Sequence, residues 1–157
     1  MCIRDSLALN RLSATPATRE WDRFAALAAA WDGPVVVYGG PGEAARLQDA
    51  ARGLPVASAL SLPELAGALS QAAVMVSVDT GPAHFARALG VPTVVIHGGT
   101  APERSGPDGA VAIEGHAPCR PCHASHCRPR GCKPRACLDI PVAPVRAAAV
   151  QQARRWP

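Results

Sequence analysis

Apolar positions along the chain follow two alternating patterns. Continuous apolar runs at 35–38, 74–78 and 93–96 are rich in β-branched residues and end at loops that contain glycine. Such runs are typical of strands that are buried on both faces of a parallel sheet. Between them, apolar residues recur at helical spacing. The order strand, helix, strand, helix, with short connections, predicts right-handed βαβ units and an α/β fold with one parallel sheet and helices on both faces.

The predicted elements cover most of the chain. A short strand at 7–10 looks cut off at its beginning, and the last strand is predicted at 110–113. Ser61 and Glu64 have the spacing of a capping box, which predicts a helix over 61–71. Pro82 suits a first helical position, so a further helix is expected to reach Leu89. The remaining expected elements are helices at 21–31, 43–52 and 142–155 and a short strand at 55–57.

Length and composition fit a single domain. The chain has 157 residues, a formal net charge of +4 and only 18% charged residues. Residues 1–6 show no helical or strand period and are interpreted as a non-native scar, with the domain at 7–157. Because the first strand looks incomplete, the chain is interpreted as a fragment. The charge alone indicates no partner, since a mildly basic chain suits an anionic small ligand as well as a membrane surface.

The sequence carries no signal for a membrane span or for export. Gly, Pro or a charged residue interrupts every apolar stretch before the roughly 18–20 residues that a spanning helix needs. The start of the chain also lacks the apolar core of a signal peptide. We therefore expect a cytoplasmic protein whose cysteines are thiols or metal ligands.

Three glycine-containing loops, at 39–43, 79–84 and 97–100, follow predicted strands. Ligands of open α/β sheets bind beyond the carboxyl ends of the strands. Gly81 lets a ligand approach the backbone, and the helix that begins at Pro82 directs free N–H groups and its positive dipole end outward. These features suit a phosphate or diphosphate. The alternative is that Asp79 or Thr80 simply caps the helix.

Two titratable residues are further candidates in these loops. His84 falls in the first helical turn, where the helix dipole disfavours the imidazolium, so a neutral ring with one hydrogen bond to a ligand is expected. Glu43 begins a helix after a glycine loop. Its carboxylate either favours the helix dipole or accepts hydrogen bonds from ribose hydroxyls. The dinucleotide, P-loop and serine-hydrolase fingerprints are all absent from the sequence.

The stretch VDTGPAHFARALGVPT at 78–93 resembles the signature of the lipopolysaccharide heptosyltransferases, glycosyltransferase family nine. The similarity extends outward to Arg19-Glu20-Trp21, to the glycine loop that ends at Glu43, and to the turn at 98–102. It covers most of 7–155. The resemblance implies the C-terminal, Rossmann-like half of a GT-B fold, the half that binds the ADP-sugar donor.

The resemblance also implies roles for individual residues. Asp79, Thr80, Gly81 and His84 would contact the sugar and diphosphate of the donor, and Glu43 the adenosine ribose. Arg19 would replace a lysine that neutralises the diphosphate, with the same charge and a different geometry. The turn after the third apolar strand would add Gly99 and Thr100 to the donor site.

The implied reaction is transfer of heptose from ADP-heptose to the lipopolysaccharide inner core, with inversion and without a metal. It needs a general base for the acceptor hydroxyl and stabilisation of the leaving diphosphate. In the family the base is a carboxylate of the N-terminal domain, which this chain lacks. We therefore expect donor binding without transfer by the chain alone, and a location that includes the periphery of the inner membrane. Another nucleotide sugar is an alternative donor.

A cysteine-rich loop is predicted at 116–137. Four thiolates, or a mixture with the histidines between them, could hold a structural zinc. Free or disulfide-capable thiols and an iron–sulfur cluster are the alternatives. A different class of protein is also considered, a nucleic-acid-binding module that is held together by zinc. Basic residues of this loop would then contact phosphate. No aromatic residue there offers a stacking platform, so no nucleic acid is expected. The cysteines are Cys119, Cys122, Cys127, Cys132 and Cys137, and the basic residues are Arg120, Arg128, Arg130, Lys133 and Arg135.

Overall fold

The computed structural model describes residues 6–10, 20–40, 42–51, 53–122 and 135–155. Six strands pair in parallel in the order β3-β2-β1-β4-β5-β6. This confirms the predicted α/β fold with one parallel sheet. The strands are β1 (Leu7–Asn10), β2 (Val35–Gly39), β3 (Val56–Ser58), β4 (Val74–Val78), β5 (Thr93–His97) and β6 (Val111–Glu114).

Helices connect the strands and close the chain. In the described residues they are α1 (Phe24–Ala29), α2 (Ala44–Ala51), α3 (Leu62–Leu69), α4 (Gly81–Ala88), α5 (Pro102–Ser105) and α6 (Val142–Ala153), with a 3₁₀ turn at Ala136–Leu138. None of the helices in this part of the chain has the length and apolar character needed to cross a membrane. The predicted helix at 142–155 is confirmed and ends two residues earlier.

Both faces of the sheet are covered, because the side chains of a strand alternate between the faces. On one face, Val74 and Val76 of β4 belong to a buried cluster with residues of α1, α2 and α6. On the other face, Met75 packs in a second cluster with residues of α3 and α4. The two clusters explain why β4 is a continuous apolar run, and they confirm helices on both faces.

The start of α3 confirms the capping box. The Glu64 carboxylate accepts hydrogen bonds from the Ser61 backbone N–H, at 2.8 Å, and from the Ser61 hydroxyl, at 2.6 Å. These bonds favour the ionised carboxylate and lower the pKa of Glu64. At the other end, the Ser70 and Gln71 side chains donate to carbonyls of the last turn, so the helix stops at Leu69.

Two elements were not predicted from the sequence. Helix α5 has four residues and the 3₁₀ turn has three, and neither is long enough to show a hydrophobic period. The 3₁₀ turn ends the cysteine-rich loop, of which residues 123–134 lie outside the described residues. The interpretation of residues 1–6 as a scar stays a prediction.

Candidate functional site

The sheet order places a topological switch point between β1 and β4. From β1 the chain runs outward through β2 to β3, then returns to pair β4 with the other side of β1 and continues through β5 to β6. The crossover connections therefore lie on opposite faces on the two sides of this point. Ligands of open α/β sheets bind in the crevice at such a point. The segment 79–84 lies there, directly after β4.

The start of α4 is open to a ligand. Gly81 is exposed, and a Cβ built on it would meet no atom within 4 Å. Thr80 precedes the helix in an extended conformation and makes no side-chain cap hydrogen bond, and its hydroxyl donates to the carbonyl of Val78 at 3.2 Å. Thr80 thus occupies the N-cap position, as the capping alternative expects, but without a side-chain cap hydrogen bond. Pro82 has no N–H, and the Ala83 N–H donates to the Thr80 carbonyl at 3.0 Å. The helix start therefore offers a phosphate the Gly81 N–H and the positive end of the helix dipole.

Asp79 is buried beneath this opening. The residue is 3% exposed, and Oδ2 accepts hydrogen bonds from the hydroxyls of Thr100, at 2.6 Å, and Ser105, at 2.8 Å. Hydrogen bonds to a charged group are short and strong, so the two hydroxyls hold the carboxylate in one orientation. The loops after β4 and β5 are thereby joined at the carboxyl edge of the sheet.

His97 extends this network into the interior. The ring is 1% exposed, and Nδ1 lies 3.3 Å from the Thr100 hydroxyl and 3.8 Å from Asp79 Oδ2. Because the Thr100 hydroxyl donates to Asp79, it accepts from His97, and Nδ1 carries the proton. Burial lowers the pKa of His97. The negative charges of Asp79 and Glu114 oppose that effect.

The lowered pKa of His97 predicts a pH-dependent stability. The folded chain binds fewer protons at this ring than the unfolded chain, whose histidine has the ordinary pKa of 6.5. The stabilising contribution of the neutral His97 ring is complete above pH 6.5. It is lost as the pH falls below 6.5 and through the lower pKa that His97 has in the folded chain. We expect the free energy of unfolding to decline with acid in this range, and a His97→Gln variant to decline less. Urea unfolding at a series of pH values measures this free energy for both proteins. An equal decline with acid in the two would contradict the prediction.

His84 lies on the exposed side of α4, in its first turn as predicted. Its Nε2 atom is 3.0 Å from the backbone carbonyl of Ser105. A carbonyl oxygen only accepts hydrogen bonds, so Nε2 carries the proton. Ser105 thus contacts both His84 and Asp79, two of the predicted site residues.

Glu43 closes the glycine loop after β2. Its carboxylate accepts a hydrogen bond from the backbone N–H of Gly40 at 2.7 Å, and its own N–H donates to the Gly40 carbonyl at 3.2 Å. Gly42 has a φ of +81°, a left-handed conformation that favours glycine. Glu43 is half-buried, and its contact with a ribose stays a prediction.

The turn after β5 is fixed from the side of the cysteine-rich loop. The Arg120 guanidinium donates to the carbonyls of Gly98 and Thr100 and to the Glu114 carboxylate, and the Cys122 N–H donates to the carbonyl of Gly99. These contacts hold the turn that carries Thr100. The same bonds use the Arg120 guanidinium, which the nucleic-acid-binding alternative would need for a contact with phosphate.

Comparison with known proteins decides the family. The model of glycosyltransferase family 9 (heptosyltransferase) matches residues 4–133. This chain belongs to glycosyltransferase family 9. A lipopolysaccharide heptosyltransferase 1 of Pseudomonas aeruginosa is 41% identical over 86 residues, which cover 54% of this chain and 23% of that protein.

Solved family 9 structures have the same fold. A member from Veillonella parvula superposes with a TM-score of 0.73 at 24% identity, over 95% of this chain and 46% of its own. The E. coli heptosyltransferase WaaC, solved with ADP, gives a TM-score of 0.71 at 22% identity, over 94% and 44%. The chain thus spans less than half the length of these two structures, and its fold matches part of their GT-B architecture.

The basic-x-Trp step of the family resemblance is only partly described. Arg19 lies outside the described residues. The two residues after it are held by segment 135–141: Arg135 donates to the Glu20 carbonyl at 2.6 Å, and Trp21 Nε1 donates to the Ile140 carbonyl at 2.9 Å. The segment 135–141 therefore fixes the backbone that immediately follows Arg19.

The cysteines are spread over different surroundings. Cys119 is half-buried, Cys122 is exposed and Cys137 is 3% exposed in the core. Cys127 and Cys132 lie outside the described residues. Among the residues that are described, no three His, Cys, Asp or Glu side chains form a group that could hold a metal. The structural zinc stays a prediction, as do the thiol and disulfide alternatives.

A separate cleft, with a volume of about 840 Å³, lies outside β6. Its lining includes Arg23, Glu114 and Asp139 and none of the residues from Asp79 to His84. Charges of both signs line it. The open helix start at Gly81 suits an anion better, because the positive end of the helix dipole lies there.

Two features of this site were missed from the sequence. His97 was recognised only as the beginning of a loop, and Ser105 was not singled out at all. Ser105 belongs to no motif, and its helix has no period. The signal that identifies both residues is spatial, since His97 approaches Asp79 from the end of β5 and Ser105 from the end of α5.

Proposed function

We propose that this chain is the donor-binding domain of an inverting glycosyltransferase that transfers heptose from ADP-heptose to the lipopolysaccharide inner core. The observation that carries the proposal is the open start of α4 at the switch point, where Gly81 leaves space for a ligand at the positive end of the helix dipole. A diphosphate placed there would be stabilised as it becomes the leaving group. The names of the family 9 relatives support the heptose donor.

The rest of the site supports the same assignment. Asp79 is held rigidly by two hydroxyls, and His84 is exposed beside Gly81. Preorganised polar groups next to a diphosphate suit recognition of a sugar. Arg19 would add the positive charge, and Glu43, Gly99 and Thr100 would complete the site.

The catalytic step needs more than this chain. Deprotonation of the acceptor hydroxyl requires a base, and we propose that a carboxylate of the N-terminal domain supplies it, without a metal ion. We further propose that the acceptor binds through that domain, at the cytoplasmic side of the inner membrane. The isolated chain should then bind donor and transfer no heptose.

Calorimetric titration of the purified chain with ADP-heptose and with ADP tests the proposal. Saturable binding of both is expected, with tighter binding of ADP-heptose if the sugar is recognised. A folded chain that binds neither compound would contradict a preformed donor site. Binding of another nucleotide sugar in preference to ADP-heptose would support the alternative of a different donor.

A further inference from the structure

Ser105 connects two residues of the proposed donor site through two different atoms. Its hydroxyl donates to Asp79 Oδ2 at 2.8 Å, and its carbonyl accepts from His84 Nε2 at 3.0 Å. The hydroxyl also lies 3.3 Å from the carbonyl of Ala101, so the charged and shorter contact dominates. Ser105 is half-buried at the end of α5.

The contact with the carbonyl determines what His84 can offer a ligand. A neutral imidazole carries one proton, and Nε2 must hold it to donate to the Ser105 carbonyl. Nδ1 is then an acceptor, and in the described part of the chain it has no hydrogen-bond partner. An acceptor pairs with a hydroxyl group and repels a phosphate oxygen.

We propose that Ser105 is a positioning residue of the donor site, which orients Asp79 and fixes His84 in the tautomer that accepts a hydrogen bond from a donor hydroxyl. This rests on the proposed function, because the hydroxyl belongs to the nucleotide sugar. Two sources share this chemistry: the ribose, present in ADP and ADP-heptose alike, and the transferred sugar, present only in ADP-heptose. Ser105 itself touches no substrate atom.

The tautomer can be measured without any donor. Long-range ¹H–¹⁵N spectra of the ligand-free chain, recorded at alkaline pH, should show His84 protonated at Nε2. A ring protonated at Nδ1, or an equal mixture, would overturn the proposal. Since no nucleotide is present, this result is independent of whether the chain binds ADP-heptose.

The role of the hydroxyl is tested by Ser105→Ala and Ser105→Thr. Loss of a hydrogen bond to a carboxylate should weaken ADP-heptose binding roughly tenfold in Ser105→Ala. Ser105→Thr keeps a hydroxyl and should restore most of the affinity. Ser70→Ala, which removes an exposed serine hydroxyl from the end of α3, is the matched control. Wild-type affinity in a folded Ser105→Ala chain would overturn the positioning role.

His84→Ala separates the two hydroxyl sources. If the transferred sugar supplies the hydroxyl, the variant loses affinity for ADP-heptose and keeps its affinity for ADP. If the ribose supplies it, the affinity for both falls by the same factor. Undiminished binding of both compounds, or a bound His84 ring that is protonated at Nδ1, would overturn the assignment, because the partner would then be absent or a phosphate oxygen.

Discussion

Replacement of Gly81 by alanine should lower the affinity for ADP-heptose about tenfold to a hundredfold while the chain stays folded. The new methyl group would meet no protein atom within 4 Å, and Gly81 is not among the glycines with positive φ. The methyl would instead occupy the space in which a diphosphate approaches the backbone. Each displaced hydrogen bond to a charged phosphate is worth roughly 1.5–3 kcal/mol. Calorimetry with ADP-heptose and ADP measures the loss, which should be equal for both.

Gly67 offers a matched control for this substitution. It lies in α3 and is exposed, and a methyl group added there would also meet no atom within 4 Å. Gly67→Ala should therefore raise helix stability by up to about 1 kcal/mol and leave donor affinity unchanged. If a folded Gly81→Ala chain bound ADP as tightly as the Gly67→Ala chain, the diphosphate could not lie against the start of α4.

The open helix start is the part of the site that the sequence predicts best. Three consecutive features carry it: a buried strand at 74–78, a glycine at the turn, and a proline suited to a first helical position. All of them are local, and local signals depend only on residues that are close in the chain. The structure therefore has β4 and α4 within one residue of the predicted bounds.

The hydrogen bonds that orient the Asp79 carboxylate could not be predicted in the same way. Thr100 and Ser105 lie 21 and 26 residues away from Asp79 in sequence, and they reach it only because β5 pairs beside β4. Sequence periodicity predicts that strands exist and does not give their order. For the same reason, the contacts of Arg120 with the turn after β5 were not predicted.

The anchoring of segment 135–141 on the residues around the start of α1 is a further long-range feature. Trp21 was expected as part of a helix, and the structure has it before α1, fully buried against Phe24 at a ring-centroid distance of 5.2 Å. Arg23 also donates to the Ile140 carbonyl and pairs with Asp139. A composition of cysteine, proline and arginine gives no sign that the end of this loop packs on the residues after Arg19.

Truncation of Trp21 to alanine should lower the free energy of unfolding by about 3–5 kcal/mol, because a fully buried indole leaves a large cavity. A domain of this size is stable by roughly 5–15 kcal/mol, so Trp21→Ala brings the chain close to unfolding. Trp21→Phe keeps most of the ring and removes the N–H that bonds the Ile140 carbonyl. It should cost about 1–3 kcal/mol.

Urea unfolding followed by circular dichroism measures both losses, and Trp31→Ala is the control, since Trp31 is only partly buried against the same core. Amide exchange should also accelerate at 138–140 in Trp21→Phe, because this segment loses its hydrogen bond from the Trp21 indole. If Trp21→Ala lowered the free energy of unfolding no more than Trp31→Ala does, the predicted cost of the cavity would be contradicted. Unchanged exchange in Trp21→Phe would show that Arg23 alone is sufficient.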